Sequence, residues 1–466
     1  MNARREAILV GLLVVLCSAC AVGPNYKKPA VPVPPEYRGL SPDQSDQSRA
    51  ASFGDQKWWD AFQDEALSDL IRTSLKQNYD VRIAAARILE ARAQFGITRA
   101  DQLPSVAASA SAVNERIPRT VSIPSIETSA NQVSMSLAWE LDFWGKFRRA
   151  TESARANLLS QEWAQRQVMS SLVSDVASAY FQLRELDLEL EISRQTLASR
   201  KDSLRLTQIL ADGGATSMLD VRQAEQLVFT AAASIPDLER RIEQQENFIS
   251  ILLARNPEGI ARGRKLVDQP HALEVPAGLP SSLLERRPDI RQAEQQLIAA
   301  NAQIGVAKAD YFPQISLTAS GGYQSSALTG LFSGPAGLWT FGGSAVQPVF
   351  EGGRIRNQVR LARARTEEAT LFYQRTVQHA FRDVSDALVG YRKIQEFRIQ
   401  QEQLTHSAEE ATKLSNMRYK GGATSYLEVL DSDTRYFAAQ LTLAQADLNE
   451  LRAYVELYSA LGGGWQ

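Results

Sequence analysis

The sequence predicts a mixed α+β protein, mostly α, built from one large unit present twice. Three observations predict it. Gly213-Gly214-Ala215-Thr216-Ser217-Met218-Leu219-Asp220-Val221 recurs as Gly421-Gly422-Ala423-Thr424-Ser425-Tyr426-Leu427-Glu428-Val429, with all but two positions identical. Residues 146–212 hold neither Pro nor Gly, and residues 354–420 hold Gly390 alone. Between them lie short segments that alternate apolar and polar residues. The echo extends to Gly96, Ala100 and Pro104 against Gly305, Ala309 and Pro313, and to Asp80 and Arg82 against Asp289 and Arg291. A period this long is not that of a solenoid; one supersecondary unit is doubled.

The N-terminus sets the compartment. Arg4-Arg5 precede the apolar run Ile8–Leu16 and then Cys17-Ser18-Ala19-Cys20. A basic start, a short apolar core and small residues predict a signal peptide over 1–19 and not a membrane span. A Cys after small residues predicts bacterial lipidation at Cys20, although Cys17 stands where that pattern usually has Leu. Ala21 in place of Asp directs the anchored chain to the outer membrane. Cleavage there leaves Cys20 as the mature chain's one cysteine, so no disulfide forms within it. Pro24, Pro29, Pro32, Pro34 and Pro35 predict an extended tether. The segment 20–60 is read as tether and equatorial segment, 61–260 and 281–466 as the two repeats, and 261–280 as the equatorial linker between them.

Each repeat reads helix, strand, strand, very long helix, turn, helix. Residues 132–143 alternate with Val133, Met135, Leu137, Trp139, Leu141 and Phe143 on one face and polar residues on the other, the period of a strand. A weaker partner is expected at 105–115. In the second repeat Ile315, Leu317 and Ala319 mark one strand, and about 338–349 its partner. The connections 116–130 and 324–337 read as polar loops. Strands with one greasy and one polar face suit an outer-membrane barrel, but four cannot close one, so closure needs several chains.

The stretch 146–212 implies a helix of roughly 100 Å at about 1.5 Å per residue, too long for a globular core. Leu172, Val176, Tyr180, Leu183, Leu186 and Leu190 form a narrow apolar stripe, and Leu371, Val377, Phe381, Val384 and Leu388 form its counterpart. Such helices belong in a coiled-coil-like assembly or a tube. Gly213-Gly214 and Gly421-Gly422 supply C-terminal caps. Thr or Ser then caps the return helix, with Asp220 or Glu428 in its first turn. The return helices are expected at 218–254 and 425–461, the first kinked at Pro236.

The net charge of −2 argues against nucleic acid as a partner. His271, His379 and His406 are too dispersed to ligate a metal, and no phosphate loop or nucleophile elbow occurs, so neither cofactor nor catalysis is expected. Beyond residue 20 no apolar run is long enough for a transmembrane helix. At this length three or more domains would be the simple expectation, but the interleaved repeat argues for one elongated body.

Leu284-Glu285-Arg286-Arg287-Pro288-Asp289-Ile290, Ala293-Glu294, Ile304-Gly305, Phe312-Pro313-Gln314-Ile315-Ser316-Leu317 and Trp139-Glu140-Leu141-Asp142-Phe143-Trp144-Gly145 together resemble the outer membrane factors of tripartite efflux pumps, in particular their TolC-like lipoprotein branch. The resemblance spans essentially the whole chain. It implies a homotrimer with a 12-stranded β-barrel, four strands per chain, continued by a periplasmic α-helical barrel. It implies a periplasmic adaptor and an inner-membrane RND transporter as partners, beside outer-membrane lipid. The tips Gly213, Gly214, Ala215, Thr216, Ser217 and Gly421, Gly422, Ala423, Thr424, Ser425 would dock the adaptor. Glu428 and Asp431 match the paired acidic gate, and Tyr419 and Asp220 match positions whose links hold neighbouring helices closed. The usual tip arginine falls at Thr424, so the closed state is expected to be held differently. Residues three apart on a helix share a face, so in the trimer that the resemblance implies the pair would gather six carboxylates into a ring that favours cations.

Two alternatives share these features. A poreless coiled-coil lipoprotein explains the long helices and the anchor, but not alternating strands at equivalent points of both repeats. The same pore could serve metal export or type I protein secretion instead of drug efflux. Few methionines follow the first, which offers no methionine-rich metal path, although a duct need not bind its cargo.

Overall fold

The computed structural model describes residues 21–38, 52–118, 125–270 and 275–465. Cys20 and His271 lie outside the described residues. The helices longer than one turn are α1 (Glu65–Gln77), α2 (Tyr79–Ala100), α3 (Lys146–Asp212), α4 (Met218–Leu252), α5 (Pro280–Arg286), α6 (Pro288–Ala309), α7 (Arg354–Lys420) and α8 (Tyr426–Ala460). The strands are β1 (Ser105–Ile117), β2 (Ile126–Leu141), β3 (Gln314–Ser325) and β4 (Gly337–Val346). Corresponding helices of the two halves have equal lengths: α3 and α7 are each 67 residues, α4 and α8 each 35, α2 and α6 each 22. Neither Pro236 in α4 nor Gly390 in α7 ends its helix.

Two compact units are present, and each draws on both halves of the sequence. The first comprises residues up to Ala30, Arg87–Glu162 and Gln292–Gln374. It holds a four-stranded antiparallel sheet in the order β1-β2-β3-β4, so β2 against β3 joins the halves. The register puts Val106, Leu137, Ala319 and Phe341 in one row, and Ala108, Met135, Gly321 and Trp339 in another. Both rows lie on one face, because side chains two apart along a strand point the same way. The other face carries Ser109, Ser134, Ser136, Ser320, Thr318 and Ser344, with hydroxyl pairs Ser109–Ser134 at 3.1 Å and Ser316–Ser344 at 2.8 Å.

The strand ends differ from the sequence reading for identifiable reasons. β1 and β2 run on into 116–117 and 126–130, expected as loop. Backbone pairing continues to Ile117↔Ile126, and Arg116 faces Glu127 across the ladder with a 3.5 Å ion pair. β2 stops at Leu141 and not 143, because the Asp142 carboxylate accepts from the Phe147 and Arg148 amides and so begins α3. β4 stops at Val346 and not 349; Pro348 has no N–H to give a ladder.

The described part of the proline-rich segment has no helix or strand, and its first residues are bonded to the body. Val22 N–H donates to the Trp144 carbonyl, Asn301 donates to that of Pro24, and Arg149 donates to Asn25. A Cβ at Gly305 would stand 2.6 Å from the Val22 carbonyl, so only glycine admits this strand of chain.

The second unit comprises Val31–Ala86, Trp163–Arg291 and Arg375–Gln466. Its core includes Ala179, Leu183 and Leu186 of α3 against Leu238, Ile242 and Ile249 of α4. Of the expected α3 stripe, Leu172, Val176, Tyr180, Leu183 and Leu186 are buried and Leu190 is half-buried. In α7 the buried stripe is Tyr373, Val377, Ala380, Val384 and Leu388; of the residues expected in it, Phe381 is half-buried and Leu371 is exposed. Leu371 lies two positions before Tyr373, which turns it about 200° away. Asp64 caps α1 by accepting from the Ala66 and Leu67 amides, and also accepts from Tyr180, Gln269 and the Arg264 amide. Burial, first of several causes, pushes the Tyr180 phenol up to about 12.

Candidate functional site

The two hairpin turns are built alike at their entry. α3 ends with Gly213, Gly214 and Ala215, whose amides return to the carbonyls of Ile209, Ala211 and Leu210. α7 ends with Gly421, Gly422 and Ala423 returning to Met417, Tyr419 and Arg418. Gly214 at φ +74° and Gly422 at φ +71° carry the left-handed turn that stops each helix.

The exits differ. Ser217 caps α4: its side chain accepts from the Asp220 amide, and the Asp220 carboxylate accepts from the Ser217 amide, a reciprocal box. The Thr216 hydroxyl also donates to that carboxylate. Ser425 stands at the same position before α8, but its side chain makes no cap bond. The reason lies one turn on. Asp220 reaches back to the backbone, whereas Glu428 is directed to Arg418 at the end of α7, 3.6 Å away.

Glu428 and Asp431 are both exposed on α8, and Asp431 forms an ion pair at 3.0 Å with Arg435 one turn later. Each acidic side chain therefore has an arginine beside it, which moderates the local charge at exposed sites. Tyr419 and Asp220 are not joined directly. Asp220 is held by Thr216 and Ser217, and the buried Tyr419 hydroxyl has no hydrogen-bond partner among the described residues. Instead the Tyr419 ring packs edge-on to Tyr426 at 5.3 Å, in a cluster with Ala224, Val429, Leu204 and Leu430. Burial, then the charges of nearby groups led by Asp433, pushes the Tyr426 phenol up to about 12. The tips also expose Met218, Leu219 and Leu427, which the sequence reading did not single out. For Leu219 and Leu427 the signal was available: each is an apolar residue off the buried period of its own helix.

A sheet with one apolar and one hydroxyl-lined face, on a chain whose other elements are very long helical hairpins, defines an outer-membrane channel class. No helix among the described residues is long and apolar enough to cross a membrane. The family model "Outer membrane efflux protein" matches residues 70–255 and 279–463, and the chain belongs to that family. It is 36% identical over 468 residues to the antibiotic efflux pump outer membrane protein ArpC of Pseudomonas putida, covering 99% of this chain and 96% of that one. It is equally similar, 36% over 468 residues with the same 99% and 96% coverage, to the toluene efflux pump outer membrane protein TtgC of Pseudomonas putida. The solved open-state MtrE outer membrane channel of Neisseria gonorrhoeae superposes with a TM-score of 0.86 at 30% identity, covering 96% of this chain and 99% of that one. The protein is thus the outer-membrane channel component of a tripartite efflux system of a Gram-negative bacterium. Such channels work with an adaptor and an inner-membrane transporter.

Proposed function

We propose that three copies of this chain form a passive exit duct for small toxic compounds, opened when a periplasmic adaptor meets the helical tips. The sheet carries this reading. Its apolar face is exposed, with Met135 at 59%, Phe341 at 70% and Trp339 at 83% exposure, and β1 and β4 have no further strand beside them among the described residues. An open sheet edge cannot lie in hydrocarbon, because its amides and carbonyls would go unpaired. Pairing β4 of one copy with β1 of the next removes both edges, faces the apolar rows to lipid and turns the hydroxyl rows to a wet lumen.

Cargo is read from the relatives' names: one serves an antibiotic pump and another a toluene pump. Small apolar toxic compounds fit both, with selection left to the inner-membrane transporter. The duct performs no chemistry and consumes no nucleotide. Cys20 carries the lipid anchor after removal of 1–19, and the repeats 61–260 and 281–466 flank the linker 261–280. Glu428 and Asp431, from three chains, form the acidic gate; Tyr419 and Asp220 stand behind it. The tip residues 213–217 and 421–425 meet the adaptor.

Planar-bilayer recording on purified protein tests this. Wild type is expected to give discrete, cation-selective steps blocked by millimolar Mg2+, and Glu428→Ala/Asp431→Ala is expected to weaken the block. A monodisperse monomer by light scattering, with no conductance from either form, would reject the channel assembly.

A further inference from the structure

Arg200 sits in α3 with a side chain only 3% exposed, and its guanidinium serves three partners. Nε donates to Asp433 Oδ2 in α8 at 2.8 Å. Nη1 donates to the Leu227 carbonyl in α4 at 2.9 Å. The guanidinium carbon lies 4.9 Å from the centre of the Phe437 ring, one turn beyond Asp433. The arginine thus ties both helices of the first hairpin to the return helix of the second. Beside it the hairpins share an apolar seam: Ala224 of α4 and Leu204 of α3 against Tyr426 and Val429 of α8. We infer that Arg200 and Asp433 form a latch between the two hairpins, which must part for the tips to open. The inference rests on the gated-channel reading above.

The mechanics follow from helix geometry. Asp433 is two residues beyond Asp431, so it projects about 200° around α8 from it. Asp431 is exposed and Asp433 is turned inward, its side chain 17% exposed, on the same stretch of helix. Any displacement of α8 that spreads Glu428 and Asp431 away from their counterparts drags Asp433 from Arg200. A buried ion pair suits a reversible latch. Removing one partner strands a buried charge and is costly, but separation into water rehydrates both and does not penalise the open state. Thr424 has no guanidinium to offer at the tip, and Arg200 supplies a cation between the hairpins from deeper in the structure.

The test records trimers of wild type, Arg200→Ala, Asp433→Asn and the double variant in planar bilayers, with Glu428→Ala/Asp431→Ala alongside. Each single variant is expected to raise open probability about tenfold, within the usual range for coupling between two states. Open-state conductance and cation selectivity should not change, because the acidic pair is untouched. The double variant should gain no more than the stronger single, since both remove one interaction. Arg200→Lys, which keeps the charge but loses the fork, should fall between wild type and Arg200→Ala. Wild-type open probability in both single variants, with altered divalent block in Glu428→Ala/Asp431→Ala, overturns the latch and leaves the channel standing. So does a lowered melting temperature without a change in open probability, which is a structural role alone. Additive effects in the double variant overturn it too. No conductance from any form overturns latch and channel together.

Discussion

Glu185 in α3 is wholly buried, one carboxylate oxygen accepting from Gln182 at 2.7 Å and the other without a partner among the described residues. Burial first, and then Glu189 one turn on, push this carboxyl up from 4.5 to about 8, against the pull of Arg241 and Arg452. The sign follows from proton linkage. Below pH 4.5 both folded and unfolded chains hold the proton, and the group contributes nothing. Between 4.5 and about 8 the folded chain keeps a proton that the unfolded chain releases, so stability falls as pH rises. Glu185→Gln keeps the shape and removes the titration. Its melting temperature should exceed wild type's at about pH 9 and converge with it at about pH 4; equal differences at both pH values would refute the assignment. Sequence reasoning could not single out Glu185, which reads as one more charged residue of a long helix. The same limit applies at the tips. Glu428 and Asp431 were singled out by the resemblance, and their spacing of three adds that they share a helix face. Arg418 beside Glu428, and Asp433 beside Arg200, are not legible, because those pairs depend on which helices are brought together.

At the scale of elements, the long helices were legible from the absence of breakers over 146–212, and their ends from paired glycines. The caps were legible only in part. Identical Thr-Ser pairs precede α4 and α8, yet Ser217 makes a capping box and Ser425 makes no side-chain cap. The difference is the neighbour: a Glu at this position can also reach back, but Glu428 has Arg418 within reach. Ser217→Ala is therefore expected to loosen the first turn of α4 by about 1 kcal/mol, or roughly fivefold faster amide exchange at Leu219–Val221. Ser425→Ala should leave exchange at Leu427–Val429 nearly unchanged. Hydrogen exchange read by mass spectrometry decides it, and equal acceleration at both turns would mean that the two caps are equivalent in solution. Strand ends were less legible than helix ends, because β1 and β2 continue through polar pairs such as Arg116 and Glu127 that carry no apolar alternation.

For the whole molecule, the decisive question is what covers the apolar face of the sheet. Met135 of β2 lies on that face, between Ala108 of β1 and Gly321 of β3, and its neighbour Ser136 lies on the other, between Ala107 and Ser320. Adjacent positions on one strand thus report opposite environments. If the face meets lipid, Met135→Lys places an ammonium in hydrocarbon, at a cost of about 2–4 kcal/mol near the bilayer midplane. Three copies would multiply that cost in a trimer. Ser136→Lys places the same charge in a wet lumen, where it alters ion selectivity and not assembly. The expected outcome is a steep loss of trimer from outer-membrane extracts for Met135→Lys, near wild-type recovery for Ser136→Lys, and a shift of the latter's channels towards anions. Equal loss for both would point to a sheet buried on both faces. Equal recovery of both would remove the membrane from the argument and leave the apolar rows to some other cover. The comparison discriminates because the two substitutions share chemistry, strand and neighbourhood, and differ only in the face that the pleat assigns them.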